Sequence, residues 1–135
     1  MAKRGYCDNI EQRTVENEDF RRVVYTGHHL QLVLMTLQPG DEIGEEVHDG
    51  IDQFFRVEEG EGVITIDGVE NRVSDDFAVI VPSGARHNVI NRSDKPLRLY
   101  TLYGPPEHKD QVVQSTKAEA DERHPREEFD GATIE

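Results

Sequence analysis

Apolar residues along the middle of the chain occur in short runs that polar turn residues separate. Runs rich in Val, Ile, Leu, Phe and Tyr begin near Arg21 and continue to Tyr103, whereas the segments before and after them are mainly polar. Short strands at this spacing are typical of an all-β sandwich or barrel. We therefore predict strands over 22–26, 30–37, 43–48, 52–58, 63–66, 69–73, 77–81, 87–91 and 97–103.

Two features of this pattern indicate how the strands are arranged. Asp67-Gly68 lies between two predicted strands, and this dipeptide is a strong signal for a two-residue hairpin. The run 30–37 is apolar at nearly every position, so both of its faces should be covered. A set of antiparallel strands must protect its edges, and a jelly roll or a closed barrel does this.

The distribution of apolar residues divides the chain into three parts of one domain. The length of 135 residues is that of a single domain. We expect residues 1–20 to form a loosely held N-terminal arm with room for one strand, and residues 21–104 to form the barrel. Residues 105–135 should be a polar extension that is packed lightly on the barrel or partly disordered. Within it, a short helix is expected over 115–123, with Ser115 as its N-cap.

Charge and cysteine content restrict the partners and the compartment. The formal net charge is -13, which disfavours binding to nucleic acid and to anionic membranes. An anionic substrate would therefore need a local basic group. Cys7 is the only cysteine, so no internal disulfide can form. No apolar segment follows the basic start, so we expect no secretion signal. No apolar run approaches the roughly 20 residues that a membrane-spanning helix needs, so we expect a cytoplasmic protein.

Four polar side chains in the barrel region are candidates for holding a metal ion. Glu46 and His48 are two residues apart on a predicted strand and should therefore share one face. Gln53 follows a turn, and its oxygen can lie beside His48 when the chain reverses. His87 lies at the start of a later strand. Two imidazoles, one carboxylate and one amide oxygen suit a borderline divalent ion.

The segment from 39 to 60 resembles the first sequence motif of the cupin family. That motif has a glycine, then His-x-His, then a glutamate four or five residues later and a closing glycine. Here Glu46-Val47-His48 stands in place of His-x-His, Gln53 in place of the glutamate, and Gly60 closes the motif. Two ligand positions thus differ from the common cupin set.

Residues 82–91 resemble the second cupin motif, Pro-x-Gly-x-x-His-x-x-x-Asn. The sequence Pro-Ser-Gly-Ala-Arg-His-Asn-Val-Ile-Asn matches its fixed positions, with His87 as the histidine. Asp76 replaces a glycine that is expected before the proline. The stretch 46–62 also resembles a branch of small bacterial cupins that is called mannose-6-phosphate-isomerase-like.

The resemblance implies a double-stranded β-helix, a jelly-roll cupin barrel, that is usually a homodimer. It also implies one divalent metal ion per chain in the open mouth of the barrel, held by Glu46, His48, Gln53 and His87. Mn, Fe, Ni and Zn all fit such a ligand set.

Other conspicuous residues are expected to be structural. Arg56 and Arg98 should pair with surface acids rather than face a substrate. The other four histidines should also be exposed. These are His28, His29, His108 and His124. We predict a core of Leu32, Leu34, Met35, Phe54, Phe55, Val57, Ile64, Ile66, Phe77, Val79, Val81, Leu99 and Leu102.

Three functions fit these observations. The first is a metal-dependent enzyme that acts on a small polar molecule, such as a sugar derivative or a carboxylic acid, by isomerase, lyase or oxygen chemistry. The second is a cupin that binds or senses a small molecule without turning it over. The third is a barrel in which the metal ion only ties strands together. No residue of the sequence stands out as a separate catalytic acid or base.

Overall fold

Two antiparallel sheets form the body of the molecule in the computed structural model, which describes residues 2–135. One sheet has the strand order β10-β1-β2-β9-β4-β7 and the other the order β3-β8-β5-β6. This jelly-roll arrangement confirms the predicted all-β class. The elements are α1 (Ile10–Glu16), β1 (Arg21–Thr26), β2 (Gln31–Leu37), β3 (Glu46–Val47), β4 (Asp52–Glu59), β5 (Gly62–Ile66), β6 (Val69–Val73), β7 (Ala78–Val81), β8 (Arg86–Ile90), β9 (Leu97–Gly104), β10 (Val113–Gln114) and α2 (Lys117–Arg123).

The core lies between the two sheets. Alternate residues of β2 and β4 point into it, and it is completed by residues of β5 and β8. Its members include Val33, Met35, Leu37, Phe55, Val57, Ile64 and Val89. The strand β2 is buried at every position, as its continuous apolar run predicted.

The predicted hairpin and the closing glycine of the first motif are confirmed by the backbone. Asp67 and Gly68 both have positive φ, +46° and +81°, as a tight hairpin between β5 and β6 requires. Gly60 has a φ of +105°, and a Cβ atom there would lie 2.5 Å from the carbonyl oxygen of Pro96. Only glycine fits this position without displacement of the backbone.

The N-terminal segment forms a helix, and the expectation of a strand there was wrong. The side chain of Asn9 caps α1 by accepting a hydrogen bond from the backbone N–H of Gln12. The helix packs over the outer face of the larger sheet, against β2, β4 and β9. This position explains why Leu34, on the outer face of β2, is buried.

The C-terminal segment is held more firmly than its composition suggested. The strand β10 pairs with β1, with Arg21 opposite Gln114. Val112 and Ala120 are buried in the core, so the segment contributes apolar surface to the barrel. The predicted helix is present as α2, but its N-cap is Thr116 rather than Ser115.

One predicted core position is exposed. Phe77 has 49% of its surface exposed, and Ile80 on the adjacent strand has 66%. Phe77 precedes β7 and Ile80 lies on it, and β7 is the edge strand of the larger sheet. Neither α1 nor α2 is long and apolar enough to cross a lipid bilayer, and no other helix among the described residues is.

Candidate metal centre

Glu46, His48 and His87 come together where β3 meets β8. Strand β3 pairs with β8 so that Glu46 lies directly opposite His87. His48 follows one residue after β3 and shares the face of Glu46, as the two-residue spacing predicted. One ligand atom from each of the three residues lies within 4.8 Å of the other two. This cluster could hold a metal ion.

The two imidazole rings are oriented by their second nitrogen atoms. The Nδ1 atom of His87 lies 3.1 Å from the carbonyl oxygen of Ala85, to which it donates when protonated. The Nδ1 atom of His48 lies 3.5 Å from Oε2 of Glu107. Oxygen acceptors at Nδ1 favour the tautomer whose Nε2 lone pair is free for a metal ion.

Two buried polar atoms at the site have no hydrogen-bond partner among the described residues. One is Nε2 of His48, which is 3.7 Å from a carboxylate oxygen of Glu46. The other is Oε1 of Gln53, a residue that is 3% exposed and whose Nε2 donates to Thr101 at 3.0 Å. Buried polar atoms without partners cost free energy, about 1–3 kcal/mol each. A divalent ion held by Glu46, His48 and His87 would give Nε2 of His48 a partner, so these residues fit a metal. Ligation by Gln53 stays a prediction.

Three residues that sequence reasoning did not assign to the site lie beside it. Tyr103 is fully buried, and its hydroxyl is 3.1 Å from Nε2 of His108. His108 was expected to be exposed, and this was wrong, because its ring packs edge-on against Tyr103. Glu107 contacts His48, as described above. His28, His29 and His124 are exposed as predicted.

A buried glutamine fixes the segment that carries Glu107 and His108. Oε1 of Gln31 accepts hydrogen bonds from the backbone N–H groups of Glu107 and His108, at 3.1 and 2.9 Å. Its Nε2 donates to the carbonyl oxygen of His108 at 2.7 Å. The only sequence signal was a glutamine at the start of an otherwise apolar run. Nothing in the spacing indicated that its partners lie more than 70 residues later.

Burial dominates the electrostatics of the cluster. It lowers the pKa of His48, although the carboxylate of Glu46 opposes the shift. It lowers the pKa of His108 well below the usual value, and the cation of Arg21 adds to the effect. Burial, together with the negative charges of Glu46 and Glu128, raises the pKa of Glu107 to about 7. At neutral pH His48 is therefore uncharged, which is the form that binds metal ions.

Two arginines that might have faced a substrate are engaged in ion pairs, as predicted. Arg56 pairs with Glu58 at 3.0 Å and with Asp76 at 3.1 Å. Arg98 pairs with Glu59 at 3.0 Å. Neither arginine therefore provides the local basic group that an anionic substrate would need.

Residues 33–103 match the family model described as the cupin domain, which is more than half of the chain. The chain belongs to the cupin family. Among curated proteins, this cupin is similar to the uncharacterized protein YrkC of Bacillus subtilis, with 42% identity over 118 residues. The match covers 83% of this chain and 63% of YrkC, so the chain spans less than two thirds of that relative.

Two further relatives support the family and the fold. The tetracenomycin polyketide synthase protein TcmJ of Streptomyces glaucescens is 33% identical over 69 residues, covering 51% of this chain and 46% of TcmJ. The crystal structure of BH2720 from Bacillus halodurans superposes with a TM-score of 0.86 at 43% identity. It covers 88% of this chain and 95% of that protein.

Proposed function

We propose that this cupin is a metal-dependent enzyme that acts on a small polar molecule, a sugar derivative or a carboxylic acid. The observation that carries the proposal is the convergence of Glu46, His48 and His87 on one point, with Nε2 of His48 unpartnered. The ion would be Mn, Fe, Ni or Zn, one per chain, with Gln53 as the fourth ligand. A bound ion supplies Lewis-acid polarisation of a carbonyl or hydroxyl oxygen, or a centre for oxygen chemistry.

The residues of the chain prepare the site for this role. The carbonyl oxygen of Ala85 and the carboxylate of Glu107 hold the two imidazoles with their Nε2 atoms toward the cluster. The rings of Tyr103 and His108 pack edge-on against each other, and Tyr103 also packs against the ring of His48. The name of TcmJ links that relative to polyketide synthesis, which favours a small organic molecule as the substrate here. The likeness to the mannose-6-phosphate-isomerase-like branch is a likeness of motifs and does not specify the reaction.

Elemental analysis of the purified protein tests the metal site. We expect close to one divalent ion per chain in the wild type and none in the variant His48→Ala/His87→Ala. The matched control is His28→Ala/His29→Ala, which removes two exposed imidazoles and should leave the metal content unchanged. Equal metal content in both double variants, or no metal after incubation with Mn, Fe, Ni and Zn salts, would refute the proposal.

Turnover separates the enzyme from a binding or sensing cupin. Both would bind a small molecule in a manner that depends on His48, but only an enzyme converts it to product. A metal ion that only ties strands together would raise thermal stability without small-molecule binding.

We also propose that the chain forms a homodimer through the edge strand β7. The support is the exposure of Phe77 and Ile80 at this edge, since an edge strand with exposed apolar side chains favours pairing with a second chain.

A further inference from the structure

A cavity of about 290 Å³ opens beside the metal cluster, between the barrel and the C-terminal segment. Glu46 and Glu107 line it on the side of the cluster, and Arg21 and Lys117 line it elsewhere. The cavity is large enough for a molecule of several non-hydrogen atoms. A ligand in it would therefore contact Glu46 of the cluster and Glu107 beside it.

Arg21 is a buried cation without an anionic partner. Only 7% of its surface is exposed. Its Nη1 donates to Oε1 of Gln114 at 2.7 Å, whereas its Nε has no hydrogen-bond partner. Within residues 2–135 it forms no ion pair, in contrast to Arg56 and Arg98. The guanidinium instead packs against the ring of Phe20, 5.3 Å from its centroid.

A buried guanidinium is unfavourable unless an anion offsets its loss of hydration. The chain has 28 acidic residues against 15 basic ones, so a carboxylate partner for Arg21 would have been easy to supply. No carboxylate among the described residues forms an ion pair with Arg21. The cavity is the remaining space from which an anion could reach the guanidinium.

The acids around the cavity are mostly engaged with other groups. Asp121 pairs with Lys117 at 2.8 Å. Glu127 accepts from Gln114 at 3.1 Å, and Glu128 lies 3.5 Å from His124. Glu46 and Glu107 face His48. Arg21 is thus the cation of this cavity that is left for a ligand.

We propose that the cavity binds a small organic carboxylate whose anionic group pairs with Arg21 while its other polar group reaches the Glu46–His48–His87 cluster. The planar guanidinium fork matches a carboxylate through two parallel hydrogen bonds. A singly charged carboxylate fits better than a phosphate dianion, because the net charge of the chain is -13 and acids surround the cavity. This inference rests on the proposed function in one respect, since it makes the carboxylate the substrate class of that metal site.

Lactate and lactamide are suitable probes, because they have nearly the same shape and only lactate is charged. Saturation-transfer NMR on the metal-free protein and on the zinc-loaded protein would measure their binding. We expect lactate to bind and lactamide to bind at least about tenfold more weakly. Arg21→Gln should weaken lactate binding by about tenfold in both forms, whereas the control Lys117→Gln should change it by less than about twofold.

Arg21→Lys keeps the charge and provides a second test if Arg21→Gln does not fold. It loses the two-pronged geometry, so lactate binding should fall by about threefold. Lactate binding that is unchanged in the arginine variants, equal binding of lactamide, or no binding of lactate to the wild type would each overturn the inference. If the protein takes up no metal, the proposed metal enzyme fails, but Arg21-dependent binding of lactate to the metal-free protein still decides this inference.

Discussion

The Nδ1 atom of His48 lies 3.5 Å from a carboxylate oxygen of Glu107, a residue 59 positions later in the chain. His48 comes from the barrel and Glu107 from the segment that follows the last long strand. The carboxylate favours a proton on Nδ1 and leaves Nε2 for the metal ion. Carboxylate–histidine–metal arrangements of this kind fix the ring and strengthen the ligand.

Substitution of Glu107 should therefore weaken metal binding, although Glu107 is not one of the predicted ligands. We expect Glu107→Gln to lower the affinity for Zn²⁺ by about 10-fold or more, because the neutral amide can present N–H to Nδ1. Competition with a chromophoric chelator measures this affinity. Glu127→Gln is the same substitution at another acid that lines the cavity, one that does not contact His48, and should have little effect. Equal affinities in the two variants would contradict the role assigned to Glu107.

The stability of the metal-free protein should depend on the protonation of Glu107. Its pKa rises from 4.5 to about 7 on folding, so between these values the folded chain holds a proton that the unfolded chain releases. Glu107 therefore lowers the free energy of unfolding as pH rises through this window. Glu107→Gln should stabilise the metal-free protein more at pH about 8 than at pH about 5. Urea unfolding at both pH values tests this, and the contributions of histidines that do not contact Glu107 cancel between the two proteins.

Gln53→Glu should change metal affinity and stability in opposite directions. A carboxylate is a stronger metal donor than an amide, so we expect the affinity for Zn²⁺ to rise by about tenfold. Without metal, a carboxylate at this buried position is unfavourable, so the melting temperature of the metal-free variant should fall. An affinity that does not change would show that the side chain of Gln53 is not a ligand.

Gly60→Ala should be strongly destabilising because of a backbone clash. The added methyl group would lie 2.5 Å from the carbonyl oxygen of Pro96. We expect a loss of more than about 2 kcal/mol in the free energy of unfolding. Gly40→Ala is the control, since Gly40 also has positive φ but open space around it, and should cost about 1 kcal/mol. Similar losses in both variants would mean that the backbone conformation, and not the clash, requires glycine at position 60.

Ile80→Lys should convert the proposed dimer to a monomer. The substitution places a charge in the exposed apolar edge, where it would be buried by a second copy. Sedimentation velocity or light scattering gives the mass. Val69→Lys alters an equally exposed apolar residue on another strand and should leave the dimer intact. A monomeric wild-type protein would refute the proposed interface directly.

The elements that the sequence predicted well are those with local signals. Alternation placed Glu46 and His48 on one face, and the second motif located His87 on the strand opposite. The helix α1 was missed because its stability depends on packing against the sheet, which a short polar segment does not show. Arg21, Gln31 and Glu107 could not be recognised, because their roles arise from contacts between parts of the chain that lie far apart in sequence.

The pairing of β10 with β1 attaches the C-terminal segment to the barrel, and this has a consequence for how the ligand selectivity of the molecule can change. The predicted metal ligands lie on or next to barrel strands, whereas one wall of the adjoining cavity comes from the C-terminal segment. A chain cut after Gly104 would keep Glu46, His48, Gln53 and His87 but lose Glu107 and the glutamine that holds Arg21. Exchange of this one segment would thus change the residues that line the cavity, and with them the molecule that is bound, while the predicted metal ligands stay the same.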